Sequence, residues 1–184
     1  MSNGNAALHF VERHISEGRA DKTAFVEAAG LKRSMSYGQL ASQSGRMAAL
    51  HERHGIHREE RVAMIVLDQI EFPVIFWGSI KAGVVPVAIN TLLSTEVYEV
   101  ILNDSRAQAL FVSRELLEVV APAIRKCPWL KAVFVIGDDV PEGMLSFADE
   151  FEKGDSRPLV EANADECAFW LYSSGSTGQP KGVR

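Results

Sequence analysis

Cysteine is nearly missing: Cys127 and Cys167 are the only two in 184 residues. Two isolated thiols, neither in a Cys-x-x-Cys pair, build neither a disulfide framework nor a zinc ribbon, and they read as incidental thiols of a reducing compartment. Positive charge is not in excess either. Lys and Arg number 19 against 24 Asp and Glu, for a formal charge of -5. That excludes the dense cationic field by which proteins wrap nucleic acid and argues against an anionic membrane surface, so neither partner is expected. No uninterrupted apolar run is long enough for a membrane span. The most apolar stretch, Phe72 to Ile89, contains Lys81, Pro73 and Pro86 and reads as a helix followed by a strand. The start, Met1-Ser-Asn-Gly-Asn5, has no basic segment followed by an apolar one, so no signal peptide is evident and a cytoplasmic location is expected. With 14 Gly and 7 Pro the chain is neither collagen-like nor of low complexity, and it contains no internal repeat.

What remains is 47% hydrophobic and 23% charged residues, the balance of a soluble globular protein. A chain of this length buries roughly 70% of its unfolded surface, enough for its own core. The first sixty residues read as an entry layer of helices and short strands packing on a sheet. Leu8, Val11 and Ile15 recur at helical spacing and the pattern stops near Gly18. Thr23 to Val26 and Arg33 to Ser36 are short strand candidates. Ser36-Tyr-Gly-Gln39 is a capping-box pattern that opens a helix carrying Leu40, Met47 and Leu50, with Gly55 at its end.

From Arg61 the pattern alternates. Val62 to Leu67, Val84 to Ile89, Ala109 to Val112, Ala132 to Ile136 and Ala168 to Tyr172 read as buried strands, the last of them closing the series. Phe72 to Lys81, Thr95 to Asn103, Glu115 to Arg125 and a short piece near Phe147 to Phe151 read as helices. Continuous apolar strands between amphipathic helices predict an α/β fold: a mainly parallel, doubly wound sheet with helices on both faces. Ligands of such sheets bind beyond the carboxyl ends of the strands. Residues 61–184 form the sheet subdomain in this reading, and Glu152 to Glu166 is its one linker-like piece.

The segment with chemistry is Tyr172-Ser-Ser-Gly-Ser-Thr-Gly-Gln-Pro-Lys-Gly-Val183, directly after an apolar strand. Ser173, Ser174, Ser176 and Thr177 offer hydroxyls, and Gly175 and Gly178 permit the positive φ that lets successive amides converge on an anion. Lys181 adds a point charge, worth roughly 4 kcal/mol of attraction at about 4 Å in a partly shielded site before desolvation. Pro180 fixes the backbone ahead of it. The loop suits a polyphosphate. It is not a Walker A loop: counting from Gly175, Pro180 stands where the second glycine belongs, and Gly182 replaces the magnesium-binding Ser or Thr. No G-x-G-x-x-G of a kinase glycine-rich loop is present.

Tyr172 to Val183 resembles the phosphate-binding signature of the adenylate-forming acyl-CoA ligases. Met35-Ser-Tyr-Gly-Gln-Leu40 and Gly78 to Asn90 resemble two earlier motifs of that family, in the same order. Pro86 to Leu93, Ser105 to Ala109 and Ala168 to Gly178 look most like its benzoate-CoA ligases, with the 4-hydroxybenzoate-CoA ligases close by. The resemblance implies a two-step reaction in which a carboxylate attacks the α-phosphorus of ATP and CoA then displaces AMP from the acyl-adenylate. ATP, Mg2+ and CoA are the implied cofactors, and an aromatic carboxylate is the implied small-molecule substrate. Ser173, Ser174, Gly175, Ser176, Thr177, Gly178 and Lys181 would hold the β- and γ-phosphates, on a loop expected to be mobile.

The family's later motifs have no counterpart in these residues: the aromatic segment under adenine, the acidic magnesium ligand, the ribose-binding aspartate and the catalytic lysine. The chain is therefore expected to be an N-terminal portion of the large domain, inactive alone, with no catalytic or metal-ligating residue of its own. A sheet cut at one edge is expected to self-associate. Alternatives are an adenylate-forming enzyme with a different carboxylate and a non-catalytic nucleotide-binding domain.

Other features have plainer readings. His51, His54 and His57 are taken as a solvated helix end rather than a metal set, since Gly55 breaks the helix and no further ligand follows. Asp68 is taken as a helix cap, Asn90 and Thr91 as turn makers, Trp77 and Trp170 as core aromatics, and Arg58 to Arg61 as a solvated turn.

Overall fold

The computed structural model describes residues 3–174 and 180–183. A π-helical turn, Leu8–Glu12, runs into α1 (Arg13–Ser16). A two-stranded antiparallel hairpin follows, β1 (Thr23–Val26) with β2 (Ser34–Ser36). The capping box forms as its spacing requires. Ser36 Oγ accepts from Gln39 N, Gln39 Oε1 accepts from Ser36 N, and α2 (Tyr37–Arg53) begins there. Gly55, at φ 62°, takes the left-handed conformation just past its end.

Alternation then builds the main sheet: β3 (Arg61–Ile65), α3 (Glu71–Lys81), β4 (Val85–Ala88), α4 (Thr95–Ser105), β5 (Ala109–Ser113), α5 (Leu117–Ile124) and β6 (Ala132–Ile136). Pro73 sits in the first turn of α3, where its missing N–H breaks no helical bond. A two-residue β7 (Leu145–Ser146), α6 (Phe147–Glu152), β8 (Trp170–Ser174) and β9 (Pro180–Val183) complete the order. The strands lie β7-β6-β5-β3-β4-β8-β9, all neighbours parallel except β8 and β9.

The strands are apolar throughout because both faces are covered. Val62, Met64, Phe111 and Phe134 join one cluster with side chains of α2, α3 and α6. Ala63, Ile65, Leu110, Val112 and Val135 join the other with side chains of α4 and α5. Phe111 and Phe134 stack at 4.8 Å, and His51 and His54 stand edge-on to them.

Several expectations need correction. The last strand is not Ala168 to Tyr172: β8 runs from Trp170 to Ser174 and β9 returns antiparallel beside it. Residues 152–166 are not a loose linker. Arg157 N donates to Gly45 O (2.9 Å), Val160 N to Lys81 O (3.0 Å) and Gly4 N to Ala162 O (2.7 Å), so the segment straps α2, α3 and the N-terminus together. Buried Asn5 adds side-chain bonds to Ile80 O and Val160 O.

His51 is not solvated. It is 1% exposed, 2.9 Å from Ser79 Oγ on α3, because the α2–α3 contact continues to the end of α2. Asp68 does not cap α3. The carboxylate of Glu27 reaches in from β1's end and accepts from Ile70 N at 3.0 Å. Trp77 and Trp170 are only half-buried. The run from Arg58 to Arg61 is tied down: Arg58 pairs with Glu166, and Arg61 donates to Ser105 O.

Candidate functional site

Parallel strands deliver their carboxyl ends to one side of the sheet, and the connections there decide where a ligand fits. The connection after β3 is hydrogen-bonded to the end of β5. Buried Ser113 Oγ accepts from Leu67 N (3.0 Å) and Gln69 Nε2 (3.2 Å). At the end of β4, Asn90 and Thr91 make the turn expected of them. Leu92 N donates to Asn90 Oδ1 (2.8 Å), and the hydroxyl of buried Tyr98 donates to Asn90 O (3.1 Å).

The β8–β9 hairpin extends further. Trp170 and Leu171 are level with Val87 and Ala88 of β4, so Ser173 and Ser174 lie beyond the β4 ladder. Within the hairpin Ser173 is opposite Lys181 and Ser174 is opposite Pro180. Opposed residues of an antiparallel pair share a face, so Ser173 and Lys181 point to the same side. Both are exposed, and among the described residues no carboxylate pairs with Lys181. Leu171 and Val183, on that same face, are 48% and 54% exposed. Gly175, Ser176, Thr177 and Gly178 lie outside the described residues.

The opposite face is anchored. Trp170 and Tyr172 pack on the α4–α5 cluster, and the Arg61 guanidinium stands 5.8 Å from the Trp170 ring centroid. The Tyr172 hydroxyl donates to Asp104 Oδ2 at 2.5 Å. Burial first, and then the neighbouring Asp104 carboxylate, push the phenol's ionisation well above its ordinary value.

A cavity of about 1230 Å³ lies elsewhere. It is lined by Glu59, Arg61, Val85 and residues 163–170, at the amino ends of β3, β4 and β8. Its lining carries Arg61 with Glu59, Asp165 and Glu166, an excess of carboxylates that does not suit a phosphate. Among the described residues, no group of three or more His, Cys, Asp or Glu converges as a metal site, and no helix is long and apolar enough to cross a membrane.

Comparison with known proteins gives the chain a family. Residues 11–184 match the family described as AMP-binding enzyme. The chain belongs to the AMP-binding enzyme family. It is 40% identical over 181 residues to a 4-hydroxybenzoate–CoA/benzoate–CoA ligase of Rhodopseudomonas palustris, covering 97% of this chain and 33% of that protein. It is 42% identical over 184 residues to the benzoate–CoA ligase of Thauera aromatica, again 97% of this chain and 33% of the relative. The crystal structure of an anthranilate CoA ligase in complex with anthranoyl-AMP superposes with a TM-score of 0.91 at 32% identity, covering 100% of this chain and 35% of that one. A benzoate CoA ligase from Burkholderia xenovorans gives 0.76 at 34% identity, over 100% and 34%. The chain thus spans about a third of the length of the relatives it matches. The mainly parallel sheet is that of the large domain of AMP-binding enzymes.

Sequence reasoning named Ser173, Ser174 and Lys181 from the motif but missed β9, which sets Lys181 opposite Ser173. A four-residue strand that opens on proline and contains glycine carries almost no strand signal. The alternation of Pro180, Lys181, Gly182 and Val183 was the one available hint.

Proposed function

We propose that the protein carrying this chain is an AMP-forming aromatic acyl-CoA ligase acting on benzoate or a close ring analogue. In this reading Ser173, Ser174, Gly175, Ser176, Thr177, Gly178 and Lys181 hold the β- and γ-phosphates of ATP. The observation that carries it is the register of the hairpin. An exposed lysine and an exposed serine share one face beyond the β4 ladder, at the carboxyl side of a parallel sheet, on either side of a Gly-Ser-Thr-Gly connection.

Such donors act on the leaving group. As a carboxylate oxygen attacks the α-phosphorus, the bond to the bridging oxygen breaks and charge gathers on pyrophosphate. Amides, hydroxyls and the Lys181 ammonium aimed there stabilise that charge without reorganising. In the second half-reaction the CoA sulfur attacks the acyl carbonyl and AMP leaves. Mg2+ entering with the nucleotide would neutralise part of the phosphate charge, and none of the described residues would be its ligand. The protein is read as cytoplasmic and the aromatic acid as its small-molecule partner.

The test is ATP–pyrophosphate exchange by the complete gene product across benzoate, 4-hydroxybenzoate, anthranilate, a fatty acid and an amino acid. Exchange is expected with the ring carboxylates. Exchange confined to the aliphatic or amino acid would replace the substrate class, and none at all would favour a non-catalytic nucleotide-binding role. Lys181→Ala should raise the ATP concentration for half-maximal exchange by about tenfold or more, the worth of one charge-assisted contact. The 184-residue chain alone is expected to give no exchange.

A further inference from the structure

Among the described residues β9 is held by a single ladder, the one to β8, and its exposed face has no packing partner. On its other face Tyr172 does three things. Its backbone belongs to β8. Its ring lies across Gly182 of β9, where a Cβ would stand 3.4 Å from Cζ and 3.5 Å from the hydroxyl oxygen. Its hydroxyl reaches Asp104 Oδ2 at 2.5 Å, on the last turn of α4, which itself packs against β9.

Asp104 is poorly placed for its own helix. A carboxylate in the last turn faces the negative end of the helix dipole, and no basic residue accompanies it there. A residue that costs its helix stability is explained by what it receives, here the phenol proton. The end of α4 is otherwise fixed. Arg61 Nε donates to Ser105 O at 2.8 Å, and Arg106, in the left-handed conformation at φ 50°, lays its guanidinium over Trp129 at 5.0 Å. Asp104 therefore offers a stationary point against which a hairpin can be braced.

We propose that Tyr172 and Asp104 form a strut that fixes β9, and with it Lys181, at the distance from Ser173 that nucleotide phosphates require. Both are positioning residues acting through Lys181, and the inference rests on the reading of Lys181 as a phosphate ligand. With its ionisation pushed up by burial and by Asp104, the phenol remains a donor at neutral pH.

The test uses the complete gene product in ATP–pyrophosphate exchange, with MgATP binding measured by calorimetry. Tyr172→Phe and Asp104→Ala should each raise the ATP half-saturation by about three- to tenfold, the share of one charge-assisted hydrogen bond. The carboxylate half-saturation should stay unchanged. The double variant should be no worse than either single one, because both remove the same contact. Asp104→Asn, which keeps an acceptor oxygen, should recover part of the ATP affinity. A general loosening would instead lower the melting temperature and weaken both substrates alike, and that result overturns the strut. So does wild-type exchange with unchanged ATP dependence in both single variants. A wild-type product that binds no MgATP overturns the parent reading of Lys181 and the strut with it.

Discussion

Acid should destabilise this protein through one buried imidazole. Ser79 Oγ donates its only proton to Ile75 O at 2.7 Å, so the contact with His51 Nε2 at 2.9 Å requires that Nε2 carry the hydrogen. His51 Nδ1 is then a bare lone pair, and it is buried without a partner among the described residues. Protonation would place a charge and a new N–H at that atom. Burial, with a smaller contribution from the charge of His54, drops the His51 pKa from 6.5 to about 3. In the unfolded chain the imidazole takes up its proton below 6.5, while the folded protein refuses it until about 3. The unfolded state therefore binds more protons throughout that window, and stability falls as pH falls through it.

Between pH 7 and pH 5 the loss works out at about 2 kcal/mol for this group alone. With a urea slope of about 2 kcal/mol/M, the unfolding midpoint should move by about 1 M. His51→Gln retains an N–H for Ser79 but does not titrate. Urea unfolding of wild type and variant at pH 7, 6 and 5 isolates the effect, since every other titrating group, His14 included, is common to both. The variant is expected to be the less stable at pH 7 and to lose about 2 kcal/mol less than wild type by pH 5. Parallel pH dependences in the two proteins would refute both the tautomer and the burial argument.

Two further substitutions probe the frame that carries the site. Gly78→Ala would place a methyl onto Met47 Cβ and 3.0 Å from Ser44 O, and both are fixed to the frame of α2. Overpacking costs about 1–3 kcal/mol, offset by up to about 1 kcal/mol of helix propensity, so calorimetry should show a net fall of a few degrees in Tm. An unchanged or higher Tm would mean that α2 and α3 are free to separate. The Glu27 carboxylate is held near pKa 2, first by the Arg33 guanidinium and then by Ile70 N–H, so its stabilisation is present above 4.5 and fades toward 2. Glu27→Gln should therefore lower Tm at pH 7, with the gap to wild type closing as pH falls from 4.5 toward 2. A gap that stays constant at pH 3 would contradict the ion-pair origin.

The parts of this molecule that were legible in its sequence are those decided locally. Residues 62–65, 109–112 and 132–136 are apolar without interruption, and only a strand buried on both faces needs that. Ser36 and Gln39 are three apart before a helical stripe, and the capping box follows from stereochemistry alone. What escaped depends on partners distant in sequence. His51 looked like a helix end because its company is Ser79, 28 residues on. Residues 152–166 looked like a linker because a strap is defined by the distant groups it meets, the carbonyls of Gly45 and Lys81 and the amide of Gly4 among them, and not by its own composition. Asp68 looked like the cap of α3 by position, yet the carboxylate that serves Ile70 N–H comes from Glu27, 43 residues away.

The site divides along the same line. Its chemistry is local, since hydroxyls, glycines and a lysine in one order suit a phosphate wherever they are found. Its geometry is not. In the proposed reading Lys181 acts beside Ser173, and its place there depends on a return strand with almost no strand character of its own. Pro180 gives β9 no N–H donor at its first position and Gly182 no side chain to pack. The contacts that compensate come from Tyr172, which opens the motif and lies beneath Gly182, and from residues outside it: Asp104 at the end of α4, and Arg61 and Arg106 holding that end in place. A loop of the same composition grafted onto another parallel sheet would bring the ligands without the brace. By this argument it would bind phosphate only as well as its own neighbours happened to hold the returning strand.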